Sequence, residues 1–274
     1  MTESISLVEA SQRLGVHYMT AYRYVRTGRL RATKQGGQWH VAPEDFEAFV
    51  DGEPTNTLPR KELIPQLLSS QLLAGDENGV FQLLESAMAS GADCEEVYLD
   101  LLSPALVDIG QQWHDAGISI ADEHLASSTA IRVVSRLGAR MGTRGRSRGT
   151  IILAVVAGDH HGLPSALIRD ILRSRGYEVI DLGANTPPES LVQRANETED
   201  LIGIGLCATT PGNDEIVKIT LSMLNESFGG PIVVGGSAFV DTDHIESLGS
   251  CIASRTHRHL LSLFDEIHSV RSAS

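Results

Sequence analysis

Asp159-His160-His161 holds the densest chemistry in this 274-residue chain. The tripeptide follows Ile151–Ala157, a short apolar run that reads as a buried strand, so it falls at that strand's carboxyl end. Imidazole is a good transition-metal ligand, and a carboxylate within hydrogen-bond reach fixes its tautomer and raises its basicity. On these residues alone, solvent-facing turn histidines are the alternative. One histidine cannot hold a bare catalytic ion, so a ligand-poor position makes better sense if an organic cofactor supplies most of the coordination. The loop has neither a G-x-G-x-x-G pattern nor a phosphate-cradling lysine motif, which leaves a nucleotide-binding reading without support.

The elements that must position this loop follow from periodicity. From about residue 150 to 274, short apolar strands alternate with amphipathic helices: IILAVVA, YEVIDLG, DLIGIGLCA, PIVVGG and CIAS are the strands, with IESLG as a short helix before the last. That alternation predicts an α/β doubly wound parallel sheet of Rossmann-like type, with ligands outside the strands' carboxyl ends at Ala157–Pro164, Gly183–Pro188, Ala208–Pro211 and Gly235–Phe239. Residues 60–141 carry four helical stripes, among them Leu63/Ile64/Leu67/Leu68/Leu72 and Tyr98/Leu101/Leu102/Ala105/Ile109, and predict a four-helix bundle. Residues 1–50 predict two helices split at Gly15, two short strands around Gln35-Gly36-Gly37, and a third helix opened by Pro43; Ser6 is the expected N-cap and Gly28 the expected end of the second helix. Asp51–Pro59 and residues 141–149 read as linkers.

Charge sorts the same segments. Residues 1–43 hold six basic residues against two acidic ones, net +4, whereas the rest holds 16 against 33, net -17. Between Glu62 and Ile131 there is no Lys or Arg. A basic module on an acidic body suggests that only the module meets a polyanion. Three widely spaced cysteines, Cys94, Cys207 and Cys251, exclude a disulfide framework and a cysteine zinc site and fit a reducing cytoplasm. No apolar run approaches the roughly 20 residues of a membrane span, and no secretory signal is readable, so a cytoplasmic location away from membranes is expected.

Residues 150–274 resemble the cobalamin-binding domain shared by B12-dependent methionine synthase, mutases and corrinoid proteins, whose motif is [D/E]-x-H-x-x-G, then S-x-L, then G-G. Asp159 and His161 match the first part and Gly235-Gly236 the last, and Tyr177–Val192 resembles the family's second unit. The resemblance implies cobalamin as cofactor, His161 as the lower ligand of its cobalt, Asp159 as the partner of that imidazole, and Thr209, Gly235 and Gly236 as cofactor contacts. Pro164 stands where the family has glycine, and Gly205-Leu206-Cys207 where it has Ser-x-Leu. In the family that serine helps hold the nucleotide tail in a deep slot, so the departures concern the tail rather than the cobalt ligand.

Trp113 and Glu123-His124 fit W-x9-E-H, which resembles the helical cap of light-sensing, adenosylcobalamin-dependent repressors of the CarH/LitR type. The resemblance implies that Trp113, Glu123 and His124 surround the 5'-deoxyadenosyl group, and that His114 ligates cobalt from above after light breaks the cobalt–carbon bond. An indole suits flat apolar packing, and a carboxylate and an imidazole can hydrogen-bond ribose or adenine. Residues 1–50 resemble the MerR/excisionase-type winged helix-turn-helix, which implies DNA contacts from Tyr18, Thr20, Arg23 and Tyr24, with Lys34 on the wing. The expectation is a non-enzymatic, cobalamin-dependent transcriptional regulator, light-responsive, bound to a double-stranded operator as a homo-oligomer, a tetramer by family analogy. The alternatives are a corrinoid methyl carrier or mutase subunit, and a B12-level sensor without photochemistry.

Overall fold

The computed structural model describes residues 4–16, 18–26, 30–35, 37–50, 63–142, 145 and 147–273. The chain divides into two compact units, Met1–Val133 and Val134–Ser274.

The first unit opens with β1 (Ile5–Ser6), α1 (Leu7–Arg13) and α2 (Tyr18–Arg26), followed by β2 (Thr33–Gln35), β3 (Gln38–Val41) and α3 (Pro43–Val50). Ser6 caps α1 as expected, its Oγ accepting from the Glu9 N–H at 3.2 Å, and Gly15 leaves the helix at φ +65°. The strands β2 and β3 form an antiparallel hairpin that pairs Lys34 with Trp39. The sequence reading missed β1, a two-residue strand that pairs with β3 through Ile5 and Val41; two residues carry no readable alternation. Leu7, Ala10, Ala21, Leu30, Val41 and Phe46 form the buried core here. The expected stop at Gly28, the turn residue Gly36 and the linker at 51–59 lie outside the described residues.

Four helical segments follow: α4 (Ile64–Leu73), α5 (Glu77–Ala89), a π-helical stretch Glu96–Leu102 running into α6 (Ser103–His114), and α7 (Ile120–Gly138). Asp76 caps α5 by accepting from Gly79 N at 2.9 Å. A reciprocal pair, Glu96 N to Asp93 Oδ1 and Asp93 N to Glu96 Oε2, caps the π-helical stretch. The wider π turn brings Val97, Tyr98, Leu101 and Leu102 all into the core.

The second unit carries β4 (Thr150–Val155), α8 (Leu163–Ser174), β5 (Glu178–Asp181), α9 (Pro188–Glu197), β6 (Leu201–Cys207), α10 (Asp214–Ser227), β7 (Ile232–Gly235), α11 (Thr242–Glu246), β8 (Ile252–Ala253) and α12 (His257–Ala273). All five strands are parallel, in the order β5-β4-β6-β7-β8. Chain order reverses between β4 and β6, and in such sheets a crevice opens outside the carboxyl ends of the strands flanking that point. The short helix lies earlier than IESLG suggested, because Asp241 accepts from His244 N at 2.8 Å and starts it at Thr242. On β6, a Cβ at Gly203 would stand 3.0 Å from Phe264, so the missing side chain lets α12 lie close against the sheet.

Candidate cofactor-binding site

The loop leaving β4 turns at Gly158, φ +84°, where Asp159 N donates to Val156 O at 3.1 Å. Asn185, in the left-handed region at φ +54°, braces it from the loop after β5: its Oδ1 accepts from Gly158 N at 2.8 Å and its N–H donates to Asp159 O at 2.8 Å. Asparagine tolerates that conformation better than most residues. The sequence reading passed over Asn185; the only available signal was an asparagine at the carboxyl end of a strand.

Asp159 is fully buried. Its carboxylate receives the Thr209 N–H at 2.5 Å, the Thr209 hydroxyl at 2.9 Å, the Thr210 N–H at 3.0 Å, the His161 N–H at 3.1 Å and His161 Nδ1 at 2.8 Å. Burial alone would raise its pKa, but the backbone N–H of Thr209 and the donors from His161 outweigh it and hold the group well below the usual carboxylate range. A carboxylate that stays ionised only accepts, so the His161 nitrogen facing it must be the protonated one. In the neutral ring Nε2 then carries the lone pair, on a side chain 66% exposed. The Thr210 hydroxyl stands 3.3 Å from the same Nδ1 and limits the ring's swing. His160, beside it, is exposed.

A cavity of about 430 Å³ lies at the carboxyl ends of β4, β6 and β7, walled by Leu153, Ile168, Leu206, Cys207, Phe239 and Leu260. Gly205, one of the departures from the resembled motif, sits in its wall; a Cβ there would lie 2.6 Å from Leu153 Cδ2, so Leu153 fills that space. Pro164, the other departure, also lines the cavity. Gly235 and Gly236 edge it, and Gly236 has no substitute. Its φ is +133° and a Cβ would fall 1.9 Å from Ala208 O, so this glycine first of all lets the loops after β6 and β7 touch. Burial pushes the Cys207 thiol up to about 12, which makes it an inert apolar wall at neutral pH. Arg255, Thr256 and His257 stand at the rim, a placement the sequence did not reveal. Surrounding protein lowers the pKa of His257, so it is neutral at physiological pH.

Among the described residues, no group of three or more His, Cys, Asp or Glu side chains could enclose a metal ion. A single imidazole, fixed by a carboxylate on the loop that also brings Pro164 to a roomy apolar slot, suits a metal whose other ligands arrive in a macrocycle. The donor set therefore fits a corrinoid.

The remaining candidates lie in the first unit. Trp113 is 49% exposed near the end of α6, and His114 is the exposed last residue of that helix. Glu123 and His124 open α7, with His124 Nδ1 2.6 Å from Glu123 Oε2, and Glu123 also accepts from the Ser127 hydroxyl. On α2, Tyr18 is exposed and stacks on Tyr22, and Thr20 is half-buried. Tyr24 packs into the core, its ring 5.2 Å from Phe49, so it works mainly as a packing residue. Arg23 lies on α2, with its side chain outside the described residues. Lys34 is exposed on β2. No described helix is long and apolar enough to cross a membrane.

Residues 66–137 and 149–255 match two B12 binding domain models, and residues 5–54 match a helix-turn-helix domain model. The methanol–corrinoid protein of Methanosarcina barkeri is 21% identical over 73% of this chain and 77% of its own. The trimethylamine corrinoid protein 1 of Methanosarcina acetivorans is 23% identical over 64% and 83%. The HTH-type transcriptional repressor CarH of Myxococcus xanthus is 29% identical over 71% and 65%. In fold, the monomethylamine corrinoid protein of Methanosarcina barkeri superposes with a TM-score of 0.62 at 19% identity, covering 77% of this chain and 97% of that one. The chain joins B12-binding domains to an N-terminal helix-turn-helix domain.

Proposed function

We propose that this protein is a cobalamin-dependent transcriptional regulator that responds to light, and that it is not itself an enzyme. The observation that carries the reading is the buried Asp159 holding His161 through Nδ1 on the loop leading to Pro164, which lines an apolar slot, on a chain that also has a helix-turn-helix domain. His161 is the assigned lower ligand of cobalt, and the slot between β4, β6 and α12 is assigned to the nucleotide tail. Thr209 acts through Asp159, and Gly235 and Gly236 form the slot's edge. Trp113, His114, Glu123 and His124 are assigned to the upper ligand, taken as 5'-deoxyadenosyl. When bound, adenosylcobalamin supplies a visible chromophore and a cobalt–carbon bond that light breaks; the protein supplies the ligand and a two-state assembly.

The head reads as a MerR/excisionase-type winged helix-turn-helix. Its α2 would enter the major groove with Tyr18, Thr20 and Arg23, Tyr24 would brace that helix, and the β2–β3 hairpin would be the wing with Lys34 at the backbone. The dark form is proposed to be a homo-oligomer, a tetramer by analogy, bound to duplex DNA. Likeness to a transcriptional repressor over most of the chain supports this.

The test is gel-shift and size-exclusion analysis of full-length protein loaded with adenosylcobalamin, in darkness and after green light. The reading expects an operator-bound oligomer in the dark and its loss on illumination. DNA binding that follows cobalamin but ignores light would replace the photoreceptor with a B12-level sensor. A second reading, a corrinoid methyl carrier, is favoured by the two methanogen relatives. Transfer of a cobalt-bound methyl group by this chain to an acceptor, when paired with a methyltransferase, would establish it.

A further inference from the structure

We infer that the slot lined by Pro164, which follows the loop that carries His161, selects the lower base of its corrinoid, accepting a benzimidazole and rejecting a purine. The inference rests on the proposed entry of the nucleotide tail into this slot and adds which tail it takes. Corrinoids differ in the ring at the end of that tail. A benzimidazole released from cobalt carries one free ring nitrogen, whereas an adenine carries several ring acceptors and an exocyclic amine. Each polar atom that enters the slot must leave water and find a partner inside.

The slot's own hydroxyl protons are already engaged. Ser165 Oγ donates to Asp181 Oδ1 at 2.8 Å, Ser237 Oγ to Thr209 O at 3.1 Å, and Ser254 Oγ to Thr256 O at 3.1 Å. The remaining wall is apolar: Leu153, Ile168, Leu206, Leu260 and the protonated thiol of Cys207. Gly205 removes a further donor, because a hydroxyl-bearing side chain there would be admitted only if Leu153 turned aside. The side-chain donors that remain, on Arg255, Thr256 and His257, belong to exposed residues at the cavity's solvent-facing edge. One of them can serve the single free nitrogen of a benzimidazole, but an adenine would leave acceptors buried without partners. An unpaired buried acceptor lowers affinity by about tenfold or more.

The experiment measures dissociation constants of the full-length protein in darkness for three corrinoids with the same upper ligand: cobalamin, its adenine-tailed counterpart, and tail-less cobinamide. Absorbance titration and calorimetry are the readouts. Cobalamin is expected to bind at least about tenfold more tightly than the adenine form, with Gly205→Ser narrowing that ratio by supplying a donor. An adenine form that matches cobalamin while both outbind cobinamide overturns the selectivity and leaves tail entry standing. Cobinamide binding as tightly as cobalamin overturns tail entry, and the inference with it. The wild-type comparison decides the matter even if Gly205→Ser fails to fold.

Discussion

His161 and His114 are both assigned to cobalt, and their surroundings differ completely. His161 is held through Nδ1 by a buried carboxylate that four other donor contacts keep ionised, whereas His114 ends a helix in solvent. The residues grouped with each histidine differ likewise: Asp159 and Thr209 are fixed from two loops of one sheet, while Trp113 and His124 are largely exposed. A ligand needed in every state of the protein gains from being pre-positioned, because its ordering cost is met on folding. A ligand that engages only after an event must be free to move until then. The two histidines suit these two roles.

The largest effect is expected where the held side depends on bare backbone. Gly236→Ala sets a methyl group against Ala208 O at a φ that alanine avoids. It should cost about 2 kcal/mol or more, read as a fall in thermal midpoint with loss of cobalamin, whereas His124→Gln, on a side chain 71% exposed, should stay within about 0.5 kcal/mol. Comparable losses from both would erase the contrast.

Asp159→Ala comes next, since it frees the imidazole without removing it. Cobalamin affinity should fall about 10- to 100-fold, the range for losing the group that orients a metal-bound histidine. The same carboxylate fixes a pH dependence. Its pKa is depressed in the folded protein, so its stabilisation is complete above the ordinary aspartate value near ~3.9 and drains away as pH falls below it. Between pH 7 and 5 this group should leave the thermal midpoint flat, and below pH 4 wild type should lose more stability than Asp159→Asn. A midpoint already falling with the same group near pH 6 would contradict the assignment.

Thr209→Val deletes the hydroxyl bond but keeps the backbone N–H on Asp159. It should cost about 0.5–1.5 kcal/mol in a denaturant melt. His114→Ala should be the smallest in darkness, leaving dark affinity unchanged while altering the spectrum after illumination. A changed dark spectrum would mean that His114 is engaged before light.

The contrast between the two sides also marks what the sequence made legible. The sheet could be read because β4, β6 and β7 are near-continuous apolar runs closed by a glycine, alanine or polar turn, while β5, Glu-Val-Ile-Asp, shows only a short apolar centre, and the parallel order places Asp159 beside Thr209. The position of His161 was readable for the same reason: strand, turn and imidazole lie within the eleven residues from Ile151 to His161. The brace was not. Asn185, Thr210 and the cavity residue His257 lie 24 to 96 residues after His161, and their types alone do not distinguish them from ordinary surface residues. Tyr24 shows a second contact that its type did not announce. The winged helix-turn-helix resemblance placed it with the DNA-facing residues, and its ring packs on Phe49 of α3, a contact that only the folded head supplies.

The most direct test of the central claim is electron paramagnetic resonance of the cobalt(II) form of the protein labelled with nitrogen-15 on histidine, loaded with unlabelled cobalamin. Ligation by His161 predicts that each cobalt line splits into a doublet, from the spin-1/2 nucleus of a protein imidazole, and that His161→Ala removes it. A triplet in the labelled wild-type protein, from the cofactor's own nitrogen-14 base, would contradict it.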